Sequence, residues 1–145
     1  AQNIAAALYE EDPPHRAVYQ ENLDQFLNEI DQLDKEIRAS LNSLTIRKFI
    51  TLHPAWGYFA RDYDLEQIAI EVGGNEPSAS ELANLINTAK ENHIQIILAQ
   101  PEFNTTSAET IANEINGQVI FISPLTENWL ENMRQITQAL TSILK

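Results

Sequence analysis

Cysteine is absent from all 145 residues, and with it go disulfides, thiolate metal ligands and cysteine nucleophiles. Basic residues are scarce: nine Lys and Arg stand against 21 Asp and Glu, a formal charge of −12. That balance repels nucleic acid and anionic membrane surfaces at long range, so neither is expected as a partner. No apolar run approaches the roughly 20 residues that span a bilayer. Glycine numbers only four. No P-loop, Gly-x-Gly-x-x-Gly turn or Gly-x-Ser-x-Gly elbow can be drawn from them. Gly73-Gly74 is followed by Asn75-Glu76-Pro77, which sets a carboxylate where a phosphate would lie, so the pair reads as a turn. With no evident nucleophile or oxyanion donor, an enzyme is not expected. The opening residues do not read as a leader. The chain opens in what reads as the last turns of an amphipathic helix, as a piece of a longer protein would, so this start is silent about compartment.

What is present suits a folded domain. The chain is 43% hydrophobic and long enough to bury its own core. After the polar break Glu10-Glu11-Asp12-Pro13-Pro14, Asp12 can cap a helix whose first turn tolerates proline. Leu23, Phe26, Ile30, Leu33, Ile37, Leu41 and Leu44 then recur at spacings of three and four, one apolar stripe. Asp31 with Lys35, and Asp34 with Arg38, are four-residue pairs on the opposite, solvated face. A helix over residues 18–44 would run about 40 Å at 1.5 Å per residue, longer than a small α/β domain is wide. Such a helix either enters a coiled coil or ties two lobes together.

Beyond it the pattern changes. Residues 49–52, 68–70, 94–98 and 119–122 are short apolar runs rich in β-branched side chains, suited to strands buried on both faces. Helical segments alternate with them. Ser78 with Glu81, and Thr106 with Glu109, fit the capping box. Leu82, Leu85, Ile86 and Ala89 give the first of these helices its inner stripe, and Ile111, Ala112 and Ile115 the second. A last helix over about 127–144 buries Trp129 or Leu130, with Met133, Ile136, Leu140 and Ile143. The alternation predicts an α/β fold: a four-stranded parallel sheet with helices on both faces, preceded by the long helix.

Ligands of open parallel sheets bind beyond the carboxyl ends of the strands. There the predicted strands exit into His53-Pro54-Ala55-Trp56, Glu71, Gln100-Pro101-Glu102 and Ser123-Pro124. Imidazole and carboxylate both suit zinc and manganese, so this edge is a plausible half of a divalent-metal site. A lone histidine at a strand end also serves as ordinary hydrogen-bonded structure, and His53 with Glu71 could form an acid–base pair. His15 reads as a capping or solvated residue of the long helix. His93, on the opposite edge of the sheet, can sit against a helix C-terminus, which favours positive charge.

The segment His53-Pro54-Ala55-Trp56-Gly57-Tyr58-Phe59-Ala60-Arg61-Asp62-Tyr63 resembles the His-x-Ala-aromatic-Gly-Tyr-Phe-Ala-x-x-Tyr signature of the zinc/manganese solute-binding family of ABC importers. Further stretches match in order: Glu76-Pro77-Ser78, Gln100-Pro101-Glu102-Phe103, Ser107 to Ala112, and Pro124-Leu125. The resemblance covers essentially the whole chain but only the second half of the family pattern. It implies two α/β lobes joined by one long helix, with metal held between them. Residues 1–44 would then be the end of an N-terminal-lobe segment plus the connector helix, and residues 45–145 the C-terminal metal-binding lobe.

By position, the resemblance makes His53 the metal ligand that this lobe contributes. It also makes Trp56 and Tyr58 aromatics that pack the ligand loop. Many members have Asp in the slot of Ser123, a carboxylate that is a ligand in manganese-type members. Ser123 therefore fits zinc-type members better, unless it only caps the turn into the last helix. The expectation is a zinc-capture protein, with manganese the alternative, located in the periplasm or otherwise outside the cytoplasmic membrane. Its partners would be an ABC permease and the missing N-terminal lobe, and the isolated piece could form oligomers. The rival expectations are a degenerate or truncated paralogue acting as an interaction module, and an α/β-hydrolase-like enzyme.

Overall fold

The computed structural model describes residues 1–71 and 73–143, with the side chain of Ile143 outside the description. Its elements are α1 (Gln2–Glu11), a 3-10 turn (Pro13–His15), α2 (Arg16–Leu41), β1 (Lys48–Thr51), α3 (Gly57–Asp62), β2 (Glu66–Ala69), α4 (Ala79–Glu91), β3 (Ile96–Ala99), α5 (Thr106–Glu114), β4 (Gln118–Phe121) and α6 (Trp129–Ile143). The chain divides into two compact units, Ala1–Ile37 and Arg38–Lys145. Among the described residues, no helix is long and apolar enough to cross a membrane.

In the first unit, α1 and α2 are joined at a polar corner. Asp12 does not cap α2 with its side chain, contrary to expectation. Its carboxylate instead accepts from the Tyr19 hydroxyl (2.6 Å) and meets His15 Nδ1 (2.9 Å). The Tyr19 bond first, and His15 second, hold the Asp12 carboxyl below its ordinary range, and the same bond pushes the Tyr19 phenol up. The helix stripe is graded. Leu23, Phe26 and Ile30 are half-buried, whereas Leu33 and Ile37 are buried. Leu41, in the second unit, ends the helix. Leu44 lies past that end, yet it is buried as well.

The second unit holds one four-stranded sheet, ordered β2-β1-β3-β4 and parallel throughout. Burial follows that order. The central strands β1 and β3 are buried almost throughout, as expected for two covered faces. The edge strands β2 and β4 are not, and Phe121 is 52% exposed. Ile50, Leu52, Ile70, Ile97 and Ala99 form one core with Ala89 of α4 and Ala108, Ile111 and Ala112 of α5. Leu82, Leu85 and Ile86 pack against it. Phe49, Thr51, Ile96 and Leu98 alternate onto the other face and are equally buried. In α6, Ile136 and Leu140 are fully buried, and Leu130 rather than Trp129 turns inward. The expected end of this helix at Leu144 lies outside the described residues.

Helix boundaries carry most of the departures. Ser78 forms its capping box: its hydroxyl accepts from Glu81 N–H, and the Glu81 carboxylate accepts from Ser78 N–H (2.7 Å). Thr106 does not cap α5. Asn104 Oδ1 takes that role, accepting from Thr106 N–H (3.0 Å), while the Thr105 hydroxyl donates to Glu109 (2.9 Å). Three of the four helix-to-strand links, those after α3, α4 and α5, contain a non-glycine residue with positive φ: Asp64, His93 and Asn116. The next N–H reaches back five residues, as Leu65 to Ala60, Ile94 to Ala89 and Gly117 to Ala112, each 2.8–2.9 Å. This is the Schellman arrangement, with the left-handed position filled by residue types that tolerate it. Ile94 is thus the buried residue that closes α4, and β3 begins two residues later than its apolar run suggests. Gly73 and Gly74 form the expected turn, both at positive φ, where a side chain would be strained.

Candidate metal centre

The ladder between β1 and its neighbours runs past the last strand residue. Leu52 N–H donates to Leu98 O (2.8 Å) and Glu71 N–H donates to Leu52 O (3.1 Å). His53 therefore leaves the sheet alongside Glu71, and its Nδ1 lies 2.7 Å from Glu71 Oε2. An ionised carboxylate can only accept, so Nδ1 carries a proton, and in the neutral ring the lone pair then belongs to Nε2. The pair is partly sheltered, with 39% of the imidazole and 15% of the carboxylate side chain exposed. A donor nitrogen held by a carboxylate, with the other nitrogen left to coordinate, is the usual arrangement around histidine metal ligands.

The loop after His53 is fixed by its own backbone. Ala55 N–H donates to His53 O (2.8 Å), and Trp56 N–H donates to Gln67 Oε1 of β2 (2.7 Å). Trp56 is buried and meets Phe59 edge-on at 6.4 Å. The expectation that Tyr58 also packs this loop is corrected: it is 78% exposed, with the Arg61 guanidinium 5.0 Å over its ring. Spacing along α3 explains the difference. Trp56, Phe59, Ala60 and Tyr63 share the inner face, and Tyr58 falls on the outer one.

Strand ends expected to converge do so. His53, Gln100, Glu102, Phe103, Ser123 and Leu125 line one cleft of about 300 Å³ at the carboxyl edge of the sheet. Gln100 is buried, Ser123 half-buried and Glu102 exposed. The Ser123 hydroxyl accepts from Leu125 N–H (3.3 Å) and its carbonyl accepts from the Asn132 amide (2.8 Å), so Ser123 shapes the turn into α6. Phe103 lies flat on the His53 imidazole, with centroids 5.3 Å apart and planes 18° from parallel. That contact was not anticipated. The Gln100-Pro101-Glu102-Phe103 stretch held the signal, since it leaves β3 at the same edge as His53.

Neither of the other histidines is among the residues lining this cleft. His15 belongs to the first unit and its Asp12 corner. His93 is exposed in the turn that follows α4, on the opposite edge, where it fills the left-handed backbone position. Among the described residues, no group of three or more His, Cys, Asp or Glu side chains lies close enough to hold a metal ion.

Over residues 1–143 the chain matches the family model described as zinc-uptake complex component A, periplasmic. It is 32% identical over 125 residues to the high-affinity zinc uptake system protein ZnuA of Bacillus subtilis, covering 85% of this chain and 39% of that protein. A crystal structure of ZnuA superposes with a TM-score of 0.96 at 44% identity, covering 99% of this chain and 55% of the other. A zinc-bound deletion mutant of ZnuA gives 0.93, also at 44% identity and with the same coverage. The chain thus spans about half or less of the length of these relatives. They are uptake proteins rather than enzymes.

Proposed function

Since the chain belongs to the zinc-uptake component A family, we propose that it forms one wall of a zinc-capture site in which His53 Nε2 is a ligand. The remaining ligands come from the part of the longer protein outside this chain. The observation that carries this reading is the His53–Glu71 pair in the lining of the cleft, which commits Nδ1 and leaves Nε2 of the neutral ring to coordinate. Structural zinc sites take about four protein ligands, and sites that keep an open position about three. A single imidazole therefore needs company. Ligands closing over the cleft from a second lobe would provide it, with α2 as the connector.

Zinc is preferred over manganese because of the donor set. Manganese favours several carboxylates and higher coordination, whereas imidazole suits zinc. Ser123 offers a neutral hydroxyl already engaged in a turn, and Glu102 is the carboxylate among the cleft residues. The ion is cargo: captured outside the cytoplasmic membrane and passed to an ABC permease. The half-buried stripe of Leu23, Phe26 and Ile30 is where the absent lobe, or a second copy of the isolated piece, would pack.

Competition titration tests the reading. The complete protein should bind one Zn²⁺ tightly, and the 145-residue chain alone only weakly. Sub-micromolar one-to-one binding by the isolated monomeric chain would contradict it.

A further inference from the structure

The bond to Glu71 is to a side chain that can itself move. The imidazole can still rock about its Cβ–Cγ bond with the carboxylate following, sweeping Nε2 along an arc. Phe103 removes that freedom. Its ring lies 5.3 Å from the imidazole centroid at 18°, so the two contacts together define where Nε2 points. Phe103 is also expensive to keep there, because it is 46% exposed and takes no part in the main apolar core.

The turn that carries it is tied down on both sides. Phe103 N–H donates to Gln100 O (3.2 Å), closing the exit from β3. Its neighbour Asn104 donates to Glu76 Oε1 (3.0 Å) and accepts from both the backbone and the hydroxyl of Thr106 (3.0 and 2.8 Å). The ring is thus delivered on a pinned turn rather than a loose loop.

We propose that Phe103 is a positioning residue for the metal-binding imidazole: it holds the plane of His53 while Glu71 holds its tautomer. The role rests on the reading of His53 as a zinc ligand. The stack should strengthen on loading, because a metal-bound imidazole is electron-poor and the face of a phenyl ring carries negative quadrupole density. Phe103 therefore acts on retention of the ion rather than on its arrival.

The test uses the complete protein, with isotope-labelled histidine and stopped-flow zinc release to a chelator. In Phe103→Ala, the ring-current shift of the His53 ring protons should vanish and zinc should leave roughly 10-fold faster, the lower end of what outer partners of a metal ligand usually contribute. Capture should be nearly unchanged. Phe103→Tyr, which can still stack, should stay within about twofold of the parent. Phe103→Leu, which fills space without an aromatic face, should behave like Phe103→Ala. Zinc release unchanged in Phe103→Ala, or equally fast in Phe103→Tyr and Phe103→Ala, would overturn the proposal. His53→Ala run alongside separates the two failures. If it abolishes tight binding while Phe103→Ala changes nothing, only the positioning role falls. If His53→Ala binds zinc normally, the ligand assignment falls and takes the positioning role with it.

Discussion

The two edges of the sheet each carry a cleft, and they use their polar groups in opposite ways. At the amino edge, Arg38, Leu41, Arg47, Asp62, Tyr63 and Asp64 line a cleft of about 380 Å³. Arg47 spends its guanidinium on backbone carbonyls, donating to Asp64 O (2.7 Å), Tyr63 O (2.9 Å) and Leu41 O (3.3 Å). Arg38 donates to Asp62 O (3.3 Å) and lies over the Tyr63 ring. These bonds tie the end of α2 to the end of α3 and satisfy carbonyls that helix termini leave open. At the carboxyl edge the cleft is smaller, and on the proposed reading His53 keeps a nitrogen for a ligand. Size does not separate a site from a joint; the destination of the hydrogen bonds does.

Paired substitutions should sharpen that contrast. His53→Ala in the complete protein should lower zinc affinity by more than the roughly 10–100-fold that outer partners cost, with little change in stability. Arg47→Met should do the reverse, costing about 2 kcal/mol in urea unfolding as charged donors to carbonyls are lost, and leaving zinc affinity alone. Equal effects of the two on zinc would erase the distinction between the edges.

Glu71→Ala probes the next level. Its hydrogen bond fixes the imidazole tautomer, so affinity should fall about 10-fold or somewhat more, with His53 ring nitrogens reporting a mixed tautomer by NMR. A variant that keeps full affinity and a single tautomer would show that the Glu71 contact is incidental.

How much of this was legible in the sequence differs along the chain. The parallel sheet and its helices followed from apolar pattern, because strands covered on both faces read as short continuous apolar runs and amphipathic helices repeat at three to four. The convergence of His53, Gln100 and Ser123 followed from topology, since parallel strands send all their exits to one edge. The helix ends were harder. Asp64, His93 and Asn116 do a job usually given to glycine, so the stops at α3 and α4 carried no glycine signal, and at α5 the glycine, Gly117, falls one residue later. Asn104 capped α5 from two residues upstream of Thr106, and no local pattern separates that choice from the capping box. The Phe103 stack joins segments 50 residues apart and exists only once the sheet has brought their loops together.

The smallest effect concerns Ser123. Its hydroxyl serves the turn into α6, so Ser123→Ala should change zinc affinity by less than about twofold, a neutral hydroxyl being a poor ligand for a divalent ion. Ser123→Asp should raise manganese affinity relative to zinc in a competition titration, because manganese favours carboxylate oxygen. A large zinc loss in Ser123→Ala would move the site along the edge, away from His53.

The central claim is that this edge presents His53 Nε2 to a zinc ion whose other ligands lie outside the chain. A crystal structure of the zinc-loaded complete protein, with the ion located by anomalous scattering, tests it most directly. The expected result is zinc about 2.0–2.1 Å from His53 Nε2, with Glu71 still on Nδ1 and at least two ligands from outside these 145 residues. Zinc bound through Nδ1 with Glu71 displaced, or held away from His53 altogether, would contradict the account.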